Sequence, residues 1–187
     1  FLNVVADRVS AGQSLVRPRS ACSSCKTPLS SRDLIPIVSY LWLRGRCRYC
    51  GVGVPLRLLV VEMAGGLLFT GVFLRFGLGA EFVVLAAAVS LLLVVAVIDM
   101  EHGLILNRIV FPSVAVLLVV APFWPHLGFS RTFLASSGIL ASLANSLVAG
   151  AAGFVLFLLI ALAYPQGMGG GDVKYAGLLG LLLGIPG

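Results

Sequence analysis

Hydrophobic and polar positions divide this chain into a polar opening and a series of long apolar runs. Residues 1–5, Phe-Leu-Asn-Val-Val, have the look of a helix tail, and residues 6–55 form a polar segment holding every cysteine and much of the proline and serine. From there on the apolar runs approach the roughly 20 residues a helix needs to cross a bilayer. The pattern predicts span one at Leu56–Leu74, a short turn over Arg75–Ala80, and span two at Glu81–Ile98, followed by a polar patch from Asp99 to Gly103. Span three is predicted from Leu104 or Ile109 to Phe123, ended by Pro122 and Pro125, and a loop from Trp124 to Leu140 follows. Span four, Leu143–Ala163, is closed by Pro165; a glycine loop comes next, and a fifth span starts near Tyr175. Ser146, Ala149, Gly150 and Gly153 give span four small residues that let another helix come close, which reads as ordinary bundle packing. The fold class predicted is an all-α polytopic membrane protein: residues 56–187 form a membrane-embedded helical bundle, and residues 6–55 a small insertion near the N-terminus.

Composition sharpens this. The chain is 59% hydrophobic and 11% charged, with a mean hydropathy of +1.08. Soluble domains carry about a quarter charged residues, so there is too little polar surface here to cover a soluble core. The net charge of +6 does not point to nucleic acid, because nine of the thirteen Lys and Arg fall between Arg8 and Arg57. A basic block beside apolar spans marks a cytoplasmic segment. Counting crossings from that segment brings Asp99, after span two, and Asp172, after span four, to the same cytoplasmic face. The location expected is a membrane, with the cysteine segment on its cytoplasmic side and the lipid bilayer as a partner. The chain opens on Phe1 and closes on Ile185-Pro186-Gly187 directly after a new apolar run, so both ends are expected to be cut from a longer chain; no cleavable signal peptide is expected.

The cysteines read Cys22-Ser-Ser-Cys25 and Cys47-Arg-Tyr-Cys50, with 21 residues between the pairs. Two thiolates three residues apart can hold one metal from a tight turn, and a second such turn completes a tetrahedron. Four protein ligands leave no open position, so the metal expected is a structural Zn2+ in a zinc-ribbon-like insertion. The competing readings are idle cysteines and two disulfides, the latter needing an oxidising compartment. A segment of this size also builds little core by itself, and a metal can substitute for one.

Carboxylates are scarce: Asp7, Asp33, Glu62, Glu81, Asp99, Glu101 and Asp172. A charge at the edge of a span is expensive and is a functional hypothesis by default. Asp99 and Asp172, 73 residues apart, would make an acid–base pair if brought together. One would activate water while the other, protonated, bonds a scissile carbonyl oxygen. The glycines around Asp172 would let the backbone turn sharply and let a substrate strand lie close. The bland alternative is that both aspartates are helix-end residues facing interfacial water.

Taken together these pieces resemble the bacterial type IV prepilin peptidases, the leader peptidases of type IV pilus and type II secretion systems. The resemblance lies in "FLNVVADRV" at residues 1–9, in "DLIPIVSYLWLRGRCRYC" at 33–50 with the cysteine pairs, in "IDMEHGLILN" at 98–107, and in "MGGGDVKYAGLLG" at 168–180. Gly169, Gly171 and Asp172 occupy the places of the family's GxGD element, and Leu106-Asn107 stands where members often have Pro-Asp. The resemblance implies an intramembrane aspartic endopeptidase with Asp99 and Asp172 as its catalytic pair. Its substrates would be prepilins or pseudopilins with a basic leader, cut at the cytoplasmic face of the bacterial plasma membrane. Many members that carry the cysteine segment also N-methylate the new N-terminus with S-adenosylmethionine. That activity is implied by resemblance alone, since no methyl-donor fingerprint is visible in the chain.

Other residues keep two readings. Glu62 either assists the site or a substrate's basic leader, or bonds a neighbouring helix or the interface. Lys174 either lowers the pKa of Asp172 or follows the positive-inside bias. Two other functions remain open: a membrane methyltransferase with little peptidase activity, and a transporter or channel using Asp99 and Asp172 as proton or cation ligands. The transporter reading gives the glycine stretch and the cysteine segment no reason to be where they are.

Overall fold

The computed structural model describes residues 1–17, 19–35, 37–129, 131–134 and 136–185; Pro186 and Gly187, part of the chain end noted above, lie outside them. Among these residues the structure is helical, with isolated β-bridges and no strand. The helices are α1 (Leu2–Ser10), α2 (Val38–Trp42), α3 (Leu56–Phe76), α4 (Ala80–His102), α5 (Asn107–Val120), a 3-10 segment (Ala121–Leu127), α6 (Ile139–Ala163) and α7 (Gly170–Leu183). Four stretches are long and apolar enough to cross a membrane: α3, α4, α5 continued through the 3-10 segment, and α6. This is the polytopic helical architecture that hydropathy predicts.

The boundaries differ from the predicted ones in instructive ways. Helix α4 runs through Asp99 to His102, absorbing the expected polar patch, because nothing in that patch breaks a helix before Gly103. Gly103 has φ +60, the left-handed geometry that stops helices. Pro122 and Pro125 tighten the chain into a 3-10 continuation instead of ending span three at Phe123. Helix α1 extends to Ser10. The predicted fifth span, α7, begins at Gly170, five residues before Tyr175, so Gly170 and Gly171 are helical while Gly167 and Gly169 precede the helix.

The chain forms two compact units, Phe1–Glu101 and His102–Gly187. In the first, α1 packs on α3 with Asn3 and Ala6 buried. Asn3 donates through Nδ2 to the Leu58 carbonyl at 3.2 Å and to Glu62 Oε1 at 3.3 Å. Phe73 and Phe82 meet edge to face across the α3–α4 turn, with ring centroids 6.2 Å apart.

In the second unit α6 and α7 are the most closely packed pair. A Cβ on Gly153 would stand 2.7 Å from the Ala176 carbonyl oxygen, and one on Gly180 would collide with the Ala149 carbonyl. The small residues of span four therefore receive α7, as bundle packing requires. The far end of α7 is held by a buried polar group. Arg131 donates through one terminal nitrogen to Ser146 Oγ at 2.6 Å and to the Leu181 carbonyl at 3.2 Å, and through the other to the Leu182 carbonyl. Its guanidinium lies 4.4 Å from the Trp124 ring centroid. The last carbonyls of a helix have no intrahelical donor, and Arg131 supplies one.

Candidate functional site

The cysteine segment consists of two copies of one turn. Cys22 N–H donates to the Thr27 carbonyl (3.0 Å), and Cys47 N–H to the Val52 carbonyl (2.8 Å). Lys26 N–H returns to the Cys22 carbonyl (3.0 Å), and Gly51 N–H to the Cys47 carbonyl (2.9 Å). Bridges Ala21–Pro28 and Arg46–Gly53 close the two turns at equivalent places. Lys26 and Gly51 both take positive φ, +57 and +71, which turns each chain back beneath its cysteines. The four sulfurs lie within 4.8 Å of one another, and Cys22 Sγ stands 3.8 Å from Cys50 Sγ. Four sulfurs around zinc at about 2.3 Å would be separated by about 3.8 Å, so the donor set and its spacing fit that ion. All four are free thiols.

Protons are held unequally across the cluster. Hydrogen bonds from the Thr27 side chain and then its backbone pull Cys25 down to about 6. The backbone N–H groups of Cys50 and Tyr49 lower Cys47. At Cys50 the Val52 N–H acts downward, but desolvation and the neighbouring thiols outweigh it and push the group up to about 11. A cation at the centre would favour the thiolate form of all four.

Asp33 braces the second turn. Its carboxylate accepts from Ser30 Oγ (2.7 Å), Ser30 N–H (3.0 Å), Arg48 Nε (2.7 Å) and Tyr49 OH (3.2 Å). The Ser30 hydroxyl is the largest influence holding the Asp33 carboxyl down to about 2; the Ser30 N–H, Arg48 and Tyr49 add to it. Arg48 and Tyr49 are the two residues inside the second cysteine pair, so this one carboxylate sets that pair's orientation. Sequence reading counted Asp33 without giving it a role; an acid in an otherwise basic segment was the available signal.

Asp99 lies exposed in the last turns of α4, in the first unit. Two residues on, Glu101 pairs with Arg57, which also reaches Asp7 at 2.8 Å. Arg57 thus joins the ends of α1, α3 and α4. Spacing alone could not have found it, since the partners are 50 and 44 residues away.

Asp172 lies in the second unit, in the first turn of α7. Its N–H donates to the Gly169 carbonyl at 3.1 Å, while its Oδ2 accepts the Gly169 N–H at 2.9 Å. This reciprocal pair is the backbone half of a capping box, and it starts the helix at Gly170. The chain turns just before α7, where the Gly167 N–H donates to the Tyr164 carbonyl at 3.1 Å, and Gly167, Gly169, Gly170 and Gly171 do so without positive φ. Gly171 is required by close approach: a Cβ there would stand 3.0 Å from Ile105 Cβ. Lys174 donates to Asn107 Oδ1 at 3.0 Å and lies 5.6 Å from the Phe111 ring. Glu62 bonds Asn3 of the neighbouring helix.

Both parts of the chain match known protein families. Residues 1–76 match the Bacterial Peptidase A24 N-terminal domain, and residues 86–187, more than half the chain, match the Type IV leader peptidase family. The chain belongs to the type IV leader peptidase family. Among curated members, a prepilin leader peptidase/N-methyltransferase of Bacillus subtilis (strain 168) is 32% identical over 188 residues, covering 99% of this chain and 69% of that protein. One from Myxococcus xanthus (strain DK1622) is 47% identical over 105 residues, or 56% of this chain and 31% of that protein. One from Burkholderia pseudomallei (strain 1026b) is 31% identical over 183 residues, 95% of this chain and 55% of that protein. No solved structure shows a significant match. The family assignment makes the chain an enzyme of the leader peptidase class, and its four apolar helices make it a multi-pass membrane protein.

Proposed function

We propose that the chain is the core of an intramembrane aspartic endopeptidase that removes the basic leader of type IV prepilins or pseudopilins at the cytoplasmic face. The observation that carries this reading is the setting of Asp172. It sits in a glycine-collared first turn, hydrogen-bonded to Gly169, inside the region that matches the leader peptidase family. Asp99 is its partner. In this reaction one carboxylate takes a proton from water as the water oxygen attacks the scissile carbonyl. The other, protonated, bonds the carbonyl oxygen and then delivers its proton to the leaving amide nitrogen.

The cysteine turns hold one structural zinc ion through Cys22, Cys25, Cys47 and Cys50. The relatives are named N-methyltransferases as well as peptidases; methylation of the new N-terminus, with S-adenosylmethionine as donor, belongs to the same reading. The basic block between Arg8 and Arg57 supports a cytoplasmic cysteine segment, and the crossing count read from the sequence supports the same side for both aspartates.

The test is cleavage of a prepilin peptide by the full-length enzyme in lipid. Asp99→Asn and Asp172→Asn should each abolish leader removal while the protein still folds and inserts. Cleavage surviving in either variant removes that residue from the pair. Methyl transfer from labelled donor that persists in both would show the two activities to be separate.

A further inference from the structure

Helix α2 presents an apolar face to the outside of the cysteine module. Val38, Leu41 and Trp42 are spaced i, i+3, i+4 and are 59%, 63% and 83% exposed. Ile35, just before the helix, is 49% exposed, and its carbonyl accepts the Ser39 N–H at 3.1 Å. The opposite side of the same helix is committed inward: Ser39 Oγ donates to the Asp33 carbonyl at 3.0 Å and Tyr40 OH to the Val54 carbonyl at 3.2 Å. The exposed stripe therefore belongs to an oriented helix, held from behind.

Its height relative to the bilayer follows from the Tyr40 bond. Val54 stands two residues before Leu56, where the apolar helix α3 begins. A second bond, Val54 N–H to the Gly45 carbonyl at 2.7 Å, holds the end of the α2 loop at the same place. Helix α2 is thus fastened beside the N-terminal end of α3, a helix long and apolar enough to cross a membrane. The surrounding charge has one sign. Residues 19–54 hold six Lys or Arg against the single carboxylate Asp33, and Asp33 is occupied by Arg48. Arg32 and Arg44, which flank the stripe, are exposed, and their side chains make no hydrogen bond or ion pair with a described residue. Tryptophan beside apolar groups with free arginines at the rim is the composition of an interfacial anchor on anionic lipid.

We propose that the Val38–Leu41–Trp42 face of α2, with Ile35 just before it, rests in the headgroup layer of the membrane that α3 spans, with Arg32 and Arg44 on anionic lipid phosphates. The cysteine module is then pinned to the bilayer as well as tethered to it. This does not depend on the peptidase reading.

Trp42 and Trp124 are the two tryptophans of the sequence, so the fluorescence lost in Trp42→Phe isolates Trp42. The full-length protein is placed in nanodiscs of phosphatidylcholine with or without phosphatidylglycerol, the acyl chains brominated or plain. The Trp42 emission is expected to be at least halved by brominated lipid and largely shielded from aqueous acrylamide. Arg32→Glu with Arg44→Glu should reduce the bromine quenching in anionic discs and leave it unchanged in zwitterionic ones. Trp42 emission indifferent to bromine and freely quenched by acrylamide would overturn the proposal. Shielding from acrylamide without bromine quenching would overturn it too, since a protein surface would then cover the face. Quenching equal in both lipids and insensitive to the arginine changes would refute the anionic contact.

Discussion

Asp172 and Gly169 hold each other: the Gly169 N–H donates to the Asp172 carboxylate at 2.9 Å, and the Asp172 N–H returns to the Gly169 carbonyl at 3.1 Å. The proposed catalytic acid is thus also the residue that starts α7. Structure and chemistry separate under two substitutions. Asp172→Asn keeps an oxygen for the Gly169 N–H, so its thermal stability should stay near that of the parent while cleavage is lost. Asp172→Ala removes the cap as well and should be destabilised by about 1 kcal/mol. Melting temperature in lipid or detergent, measured beside leader cleavage, distinguishes the two.

Zinc binding should release protons and strengthen with pH. Thiolates are the ligands, and Cys50 is held up at about 11 without a cation while Cys25 is drawn down to about 6. Competition titration with a chelator across pH 6 to 8, on the order of a hundredfold range in proton activity, should show apparent affinity rising toward the alkaline end. Cys47→Ser should lower the bound zinc below one ion per chain. Affinity that is flat with pH would contradict thiolate ligation.

Asp33 offers an acid-side test of the module. Its carboxyl is held down to about 2, first by the Ser30 hydroxyl. A depressed folded-state pKa gives stability that is present above the unfolded value, about 3.9, and is lost as pH falls through the folded one. Asp33→Asn should therefore be less stable than the parent at neutral pH, and the gap should close as pH approaches 2. Limited proteolysis of the segment around Arg48 and Tyr49 at a series of pH values reads the difference.

Arg131 should be costly to remove. Its guanidinium satisfies Ser146 and the carbonyls of Leu181 and Leu182 from a site 9% exposed. Arg131→Met leaves those carbonyls without a donor, for an expected loss of about 2–3 kcal/mol. Hydrogen exchange should speed up selectively over the last turn of α7. Lys at this position should recover part of the loss, since it can donate but cannot fork across two carbonyls.

The α6–α7 crossing depends on the absence of side chains. Gly180 lies against the Ala149 carbonyl, and a Cβ on Gly150 would stand 2.7 Å from Leu181 Cγ. Gly180→Ala should push the helices apart and destabilise the pair by about 1–3 kcal/mol. Gly170→Ala, whose added methyl meets nothing within 4 Å, serves as the control and should be tolerated. Equal melting temperatures for the two variants would refute the packing.

Two kinds of information were legible at different levels. The spans followed from hydropathy because crossing a bilayer is a property of some 20 consecutive residues, and the chain states it locally. The cysteine cluster followed because paired ligands in a tight turn declare themselves by spacing, and the two turns proved to be the same turn. Sequence alone also singled out Asp99 and Asp172, because acids are rare in so apolar a chain. What the sequence could not state is which polar group meets which. Arg57 joins residues from three helices, Arg131 closes a helix 50 residues away, Lys174 reaches Asn107 at a separation of 67, and Gly171 yields to Ile105. None of these pairs shares a period or a motif. In a chain with few polar groups, burying one is costly unless the packed helices bring it a partner, and only the tertiary structure decides where that happens.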